Sequence, residues 1–401
     1  MSQSITNVSW VLLLAPALSL CVGCDGDAAS APDLCNDVSC DTPPSATCVG
    51  DSLRTYDSSG TCLNGECDYG FTDTVCPLGC VAGACAAEAT VNCTLNPYEQ
   101  VSWSTFDQYK ASFHTHTTES DGSQSPAEVI DEYYSADYDI LAITDHNHLT
   151  WPWSDYGRDP TALGMLAVRG DEYSSSHHMN AFWDFTTISS DLESGIPHVH
   201  ESGGLSHINH PGRYRAPEEW AWYIPWYQDY DSCVGLEVFN QGDRYSNDRT
   251  LWDNINESYF ESDGRLVWGY SNDDKHTTGH LYRNFQFMLL PELSEAALRE
   301  AQATGAFYFC YEPGGSGTAD VPRMTDIDVD NTAKTITIAS TGNPSITWIG
   351  PGGLIEGSGE VFDFTDYVDT PFVRAVLDGE NGDCYTQPFG FETTPSAHRD
   401  R

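Results

Sequence analysis

Asp139-Ile-Leu-Ala-Ile-Thr-Asp-His146 is a short apolar run that ends in a carboxylate and an imidazole. A run of this length between polar flanks fits a strand buried on both faces, as in a parallel sheet. The pattern recurs: Lys110 to His116 ends in His114-Thr-His116, Met165 to Gly170 leads to Glu172 and His178, and Gly204 to Asn209 leads to His210-Pro-Gly. Val234 to Asn240 is another such run, and Arg265 to Tyr270 leads to Asp274-Lys-His276. Helical patterns lie between some of them. Ser125-Pro-Ala-Glu128 combines a capping residue, a proline at the first helical position and a glutamate three on, and Ser294 to Thr304 is closed by Gly305. Strands alternating with helices give an α/β class with a largely parallel sheet, open or closed into a barrel.

Period-two geometry puts His114 and His116 on one face of their strand. Asp121, in the turn Ser120-Asp121-Gly122, is placed to fold back over that strand end. Five strands thus deliver acids or histidines at their C-terminal ends, where α/β barrels build active sites from loops. Imidazole and carboxylate without thiolate suit zinc, manganese or iron, and the ligands exceed what one tetrahedral ion needs. Two or three divalent ions are implied. Glu237 sits mid-strand in Gly235-Leu-Glu-Val-Phe-Asn240 and reads most simply as a hydrogen-bonded carboxylate within the sheet. The aromatic residues from Trp220 to Tyr230 read as a loop packed over the sheet or as a cleft lining.

From Ala111 to about Tyr311 the order of these motifs resembles the polymerase and histidinol phosphatase (PHP) family: His-x-His, a nearby acid, Asp-His after a strand, a glutamate, further histidines and a closing Asp-x-His. The positions are His114, His116, Asp121, His146, Glu172, His178, His210, Asp274 and His276, with His178 preferred over His177 for its place beside Met179-Asn180. The resemblance implies a distorted seven-stranded (β/α) barrel and up to three ions: one on His114, His116, Glu172 and Asp274, one on Glu172, His178 and His210, one on Asp121, His146 and His276. Asp121 is a carboxylate where some relatives carry histidine. Asp145 is expected to orient a ligand from behind, and Arg213 to clamp a phosphate. The implied activity is hydrolysis of a phosphate ester in a small metabolite, nucleotide or short oligonucleotide. Two alternatives stay open: hydrolysis of an amide or another ester on the same metals, and a non-catalytic cell-surface binding protein on a decayed scaffold, although none of the nine positions is missing.

The 17 basic residues face 60 acids, a formal charge of −43. That surface disfavours long nucleic acid, although bound metals can invert the field within a pocket. The apolar stretch Val8 to Gly23 is shorter than the ~20 residues of a membrane span and reads as an export signal over residues 1–24. Gly23-Cys24 resembles the end of a bacterial lipoprotein signal, so a lipid anchor at Cys24 and a place in the cell envelope or outside it are expected. Nine of the 14 cysteines lie between Cys35 and Cys93, with Cys-x4-Cys spacing at Cys35/Cys40, Cys62/Cys67 and Cys80/Cys85. This marks a disulfide module over 25–95, before a main domain over 103–315 and a small β appendage over 316–395. Oligomeric state is not written in the sequence.

Overall fold

A computed structural model of the chain describes residues 33–342 and 344–394. The expected signal and Cys24 lie outside them. The chain divides into two units, the first ending at Ala86 and the second beginning at Ala87.

The first unit is held by sulfur. Among its described residues the strands are two to five residues long, and only Cys40, Cys76 and Ala86 are buried apolar residues. Four disulfides stand in for the missing core: Cys35–Cys62, Cys40–Cys67, Cys48–Cys80 and Cys76–Cys85. The Cys-x4-Cys pairs therefore do not close on themselves. Cys35 and Cys40 each bond one cysteine of the Cys62/Cys67 pair.

In the second unit the apolar runs become β1 (Asp107–Ser112), β2 (Ile140–Ile143), β3 (Leu166–Tyr173), β4 (Met179–Phe182), β5 (Leu205–Ile208), β6 (Cys233–Asn240), β7 (Trp268–Asn272), β8 (Asn284–Leu290) and β9 (Phe307–Tyr311). Hydrogen bonding orders them β7-β6-β5-β4-β3-β2-β1-β8-β9. β1, β2 and β3 run parallel, as do β5, β6 and β7, while β4 is antiparallel to both neighbours and β8 to β1 and β9. The sheet curls until its far strands meet through side chains: Ser271 N donates to Gln286 Oε1 at 2.7 Å and Ser271 Oγ to Cys310 O at 2.8 Å.

The expected ring of seven strands is not what the hydrogen bonds draw. The sheet has 15 strands, because Asp383–Tyr385 pairs with β9 and continues it through Phe372–Asp378 and Ser345–Ile349. The C-terminal segment is thus continuous with the main sheet, and Cys310–Cys384 bonds across the junction. Thr90–Leu95, expected within the cysteine module, instead pairs with Phe389–Thr394, and its Cys93 is buried and unbonded, as is Cys233.

Helices α1 (Pro126–Ser135), α2 (Leu192–Ser202), α3 (Asp248–Asp263) and α4 (Glu295–Thr304) flank the sheet. α1 starts at the full capping box of Ser125 and Glu128 and buries Val129, Ile130 and Tyr133. α4 starts at Ser294 and stops at Gly305, whose φ of 79° only glycine adopts without cost. Among the described residues no helix is long and apolar enough to cross a membrane.

Candidate metal centre

All nine expected residues gather at one edge of the sheet. His114 and His116 follow the end of β1, where the extended chain bridges at Thr115 to Lys275, so the strand stops short of the histidines and their segment is held by the β7 loop instead. His146 follows β2, Glu172 lies near the end of β3, His210 follows β5, and Asp274 and His276 follow β7. His178 precedes β4, and because β4 runs antiparallel its beginning lies at this same edge. Asp121 reaches back from a turn closed by Gly122 N donating to Thr117 O at 2.8 Å; a β-carbon on Gly122 would stand 2.5 Å from His116 O, so glycine is required there.

The buried half has the spacing of a metal cage. His114 Nε2 lies 3.1 Å from His116 Nε2, 3.2 Å from Glu172 Oε1 and 3.4 Å from Asp274 Oδ1. His116 Nε2 lies 3.1 Å from Asp274 Oδ1 and 3.5 Å from Glu172 Oε2. For metal–ligand bonds of 2.0–2.1 Å the edge of a tetrahedron is about 3.3–3.4 Å, so His114 Nε2, His116 Nε2 and Asp274 Oδ1 are spaced as ligands of one ion, with the Glu172 carboxylate beside them. Glu172 Oε2, sealed from solvent, faces only the ring nitrogens of His146 and His116, and the buried His210 Nδ1 makes no hydrogen bond, a set of nitrogen and oxygen donors turned toward one another that a cation between them would satisfy. The residues present therefore fit divalent ions.

Among the described residues four overlapping groups could hold an ion: His114/His116/Asp274, His114/Glu172/His210, His146/Glu172/His178 and His116/Asp121/His146/His276. Glu172 joins two of them, with His178 Nδ1 at 3.0 Å and His210 Nε2 at 3.4 Å from its Oε1 and His146 Nδ1 at 2.7 Å from its Oε2. In the outer group Asp121 Oδ1 faces His276 Nε2 at 3.2 Å and His146 Nε2 at 3.5 Å. His276 Nδ1 lies 2.9 Å from Asp274 O and donates to it, which leaves the Nε2 lone pair toward Asp121.

Burial opposes the charge on His114, yet Glu237, Asp274 and Glu172 hold its pKa well above the usual histidine range. Burial likewise opposes ionisation of Glu172, but His114, His146 and His178 keep it well below the usual carboxylate range. The carboxylate is therefore in its ligand form. Two of the nine, His210 at φ 27° and Asp274 at φ 42°, have left-handed backbone, strain of the kind that collects at functional sites.

Glu237 proves more than a sheet carboxylate. Four donors converge on it: His114 Nδ1 at 2.8 Å and Asn272 Nδ2 at 2.9 Å on Oε1, His210 N and Asn240 Nδ2 at 2.9 Å on Oε2. It fixes the His114 tautomer and the turn carrying His210. Asn209 does the same for Glu172, donating from Nδ2 to Oε1 at 2.8 Å. The available signal was a charged residue inside the wholly buried run of β6. Asp145 makes no hydrogen bond to a ring or carboxylate of the nine; it receives Thr117 N and Oγ1 at 2.7 Å and Ser120 Oγ at 2.6 Å, and that Oγ lies 3.5 Å from His116 Nδ1. Arg213 is exposed, its guanidinium 5.5 Å from the Tyr214 ring. His177 leaves the cluster for an aromatic stack, with Trp222 parallel at 4.9 Å and Tyr223 Oη 3.1 Å from its Nε2.

No family model matches the sequence, and no curated protein matches it either. Solved structures do. A two-domain protein from Bacteroides vulgatus, described as containing a predicted PHP-like metal-dependent phosphoesterase, is 17% identical with a TM-score of 0.41, over 71% of this chain and 87% of that one. An amidohydrolase from Chromobacterium violaceum, with bound sulfate and no metal, is 16% identical with a TM-score of 0.33, over 42% of this chain and 88% of that one. A candidate metal-dependent phosphoesterase from Bifidobacterium adolescentis is 17% identical with a TM-score of 0.32, over 42% and 88% respectively.

Proposed function

We propose that the chain is a metal-dependent phosphoesterase that hydrolyses a phosphate ester in a small metabolite, nucleotide or short oligonucleotide. The observation that carries this is the buried triad of His114, His116 and Asp274, whose donor atoms stand 3.1–3.4 Å apart, beside Glu172, which forms one group with His114 and His210 and another with His146 and His178. Zinc, manganese and iron suit this set of nitrogen and oxygen donors. Bound divalent ions supply Lewis-acid charge to phosphoryl oxygens and acidify water.

The protein's share is positioning. Glu237 and Asn209 lock His114 and Glu172 in their ligand orientations, and Asp145 holds the Thr117–Ser120 loop against His116. Arg213 supplies a fork of donors at the open side, matched to a phosphoryl group. The five disulfides fit work in an oxidising compartment, in line with the export signal and the Cys24 anchor read from the sequence. The test is to purify the protein, measure bound metals, and screen phosphomonoesters, phosphodiesters and short oligonucleotides beside His114→Ala. Metal binding with ester turnover, both lost in the variant, is expected; equal activity in the variant, or a protein that takes up no metal, overturns the reading.

A further inference from the structure

After His210 the chain turns outward, and the loop from Gly212 to Pro217 faces Arg244–Asn247 across a cavity of 420 Å³. Three of the chain's 17 basic residues, Arg213, Arg215 and Arg244, line it, and no carboxylate does. In a protein with 60 acids this is a marked segregation: the cavities beside Phe260, Glu312 and Trp220 are each lined by at least three carboxylates. Arg215 pairs with Glu219 at 3.0 Å and lies over Trp222. Arg213 and Arg244 have no ion pair among the described residues; each lies near a tyrosine ring instead, at 5.5 and 5.1 Å.

Both walls are rooted in the metal centre. Arg213 N donates to His210 O at 3.0 Å, and the Tyr245 ring lies 6.2 Å from the His210 ring. Arg244 Nη1 donates to Gln241 Oε1 at 2.9 Å, and Gln241 Nε2 reaches Asp274 Oδ2 at 3.2 Å and His276 Nδ1 at 3.3 Å. A surface charge of this sign repels anions at a distance, so three guanidinium groups together, two of them without an ion pair and the third sharing one carboxylate, focus attraction at one place. Guanidinium forks match phosphoryl oxygens, and their charge does not titrate in the working range of the protein.

We propose that this cavity is a subsite for a second phosphoryl group, so that the preferred substrate carries one phosphate at the metals and another among Arg215 and Arg244. This rests on the phosphoesterase reading of the metal centre. The second group has two sources, a further monoester on a small molecule or the next phosphodiester of a short nucleic acid. The experiment compares the metal-loaded full chain with an Arg215→Ala/Arg244→Ala variant on phenyl phosphate, a hexose bisphosphate and a 5′-phosphorylated dinucleotide.

In the variant, kcat/KM is expected to fall at least about tenfold more for the preferred doubly phosphorylated substrate than for phenyl phosphate, mainly through KM. Which of the two shows this names the source. Equal losses on all three overturn the subsite while leaving the phosphoesterase reading intact. Calorimetric titration with the hexose bisphosphate and the dinucleotide separates the two failures: about tenfold weaker binding of either by the variant upholds the subsite even if no ester turns over, and unchanged binding of both overturns it in every case.

Discussion

His114 is wholly buried and held through Nδ1 by Glu237, which itself receives four donors, whereas Asp121, 56% exposed in its side chain, hangs from a turn and meets only imidazoles. The two halves of one cluster are thus built on different plans. The inner half, centred on Glu172, is fixed by strands and by amide side chains behind it. The outer half, Asp121, His146 and His276, stands on loops, with His146 and His276 about a quarter exposed. Inner side chains are over-determined by their partners, and outer ones have fewer groups to fix them.

The largest effect is expected where the inner half is removed: Glu172→Ala should abolish metal uptake at the buried groups and lower kcat/KM about 10³-fold or more, read by metal analysis and ester hydrolysis. Glu237→Gln leaves every ligand in place, yet its amide nitrogen must face two of the four converging donors. Metal affinity should weaken about 10–100-fold in a competition titration with a chelator. Asp121→Asn should cost less, about tenfold in activity, with about one equivalent of metal lost while the inner ions stay. A loss equal to that of Glu172→Ala would erase the distinction between the halves.

The smallest effect concerns Asp248, buried against Gly212 behind the inner half. Burial, with the charges of Glu237 and Asp243, pushes its carboxyl up to about 8. The folded protein then holds this proton more tightly than the unfolded chain, so the contribution is full below about pH 4 and declines as pH rises toward 8. Asp248→Asn should flatten the loss of Tm between pH 5 and pH 8.5 by about 2–4 °C. An unchanged slope would show that another group sets it.

The inner half was the more legible in the sequence, because residues that follow apolar runs are delivered at the strand end: β5 and the His210 after it lie where the run predicts. The edge on which His178 stands was hidden, since no local signal shows that β4 reverses direction. β8 and β9 escaped for a different reason. Asn284-Phe-Gln-Phe-Met-Leu-Leu290 is buried at every position, and its polar Gln286 finds Ser271 N and Ala111 O in the fold, partners far away in sequence. Glu237 was legible as a hydrogen-bonded carboxylate of the sheet, but which groups it holds was not, its four donors coming from three other segments and its own strand end. The boundary of the C-terminal segment was missed because sheet continuation across Cys310–Cys384 leaves no mark in local texture.

That bond has a consequence for survival among proteases. Cys310 and Cys384 are 74 residues apart, and the segment between them carries the exposed Leu354, Ile355 and Val361. A cut anywhere within it leaves two polypeptides joined by sulfur, with every residue of the metal centre on the N-terminal piece. Nicked protein should migrate as one species without reductant and as two with it, its chemistry carried by a molecule that is no longer a single chain.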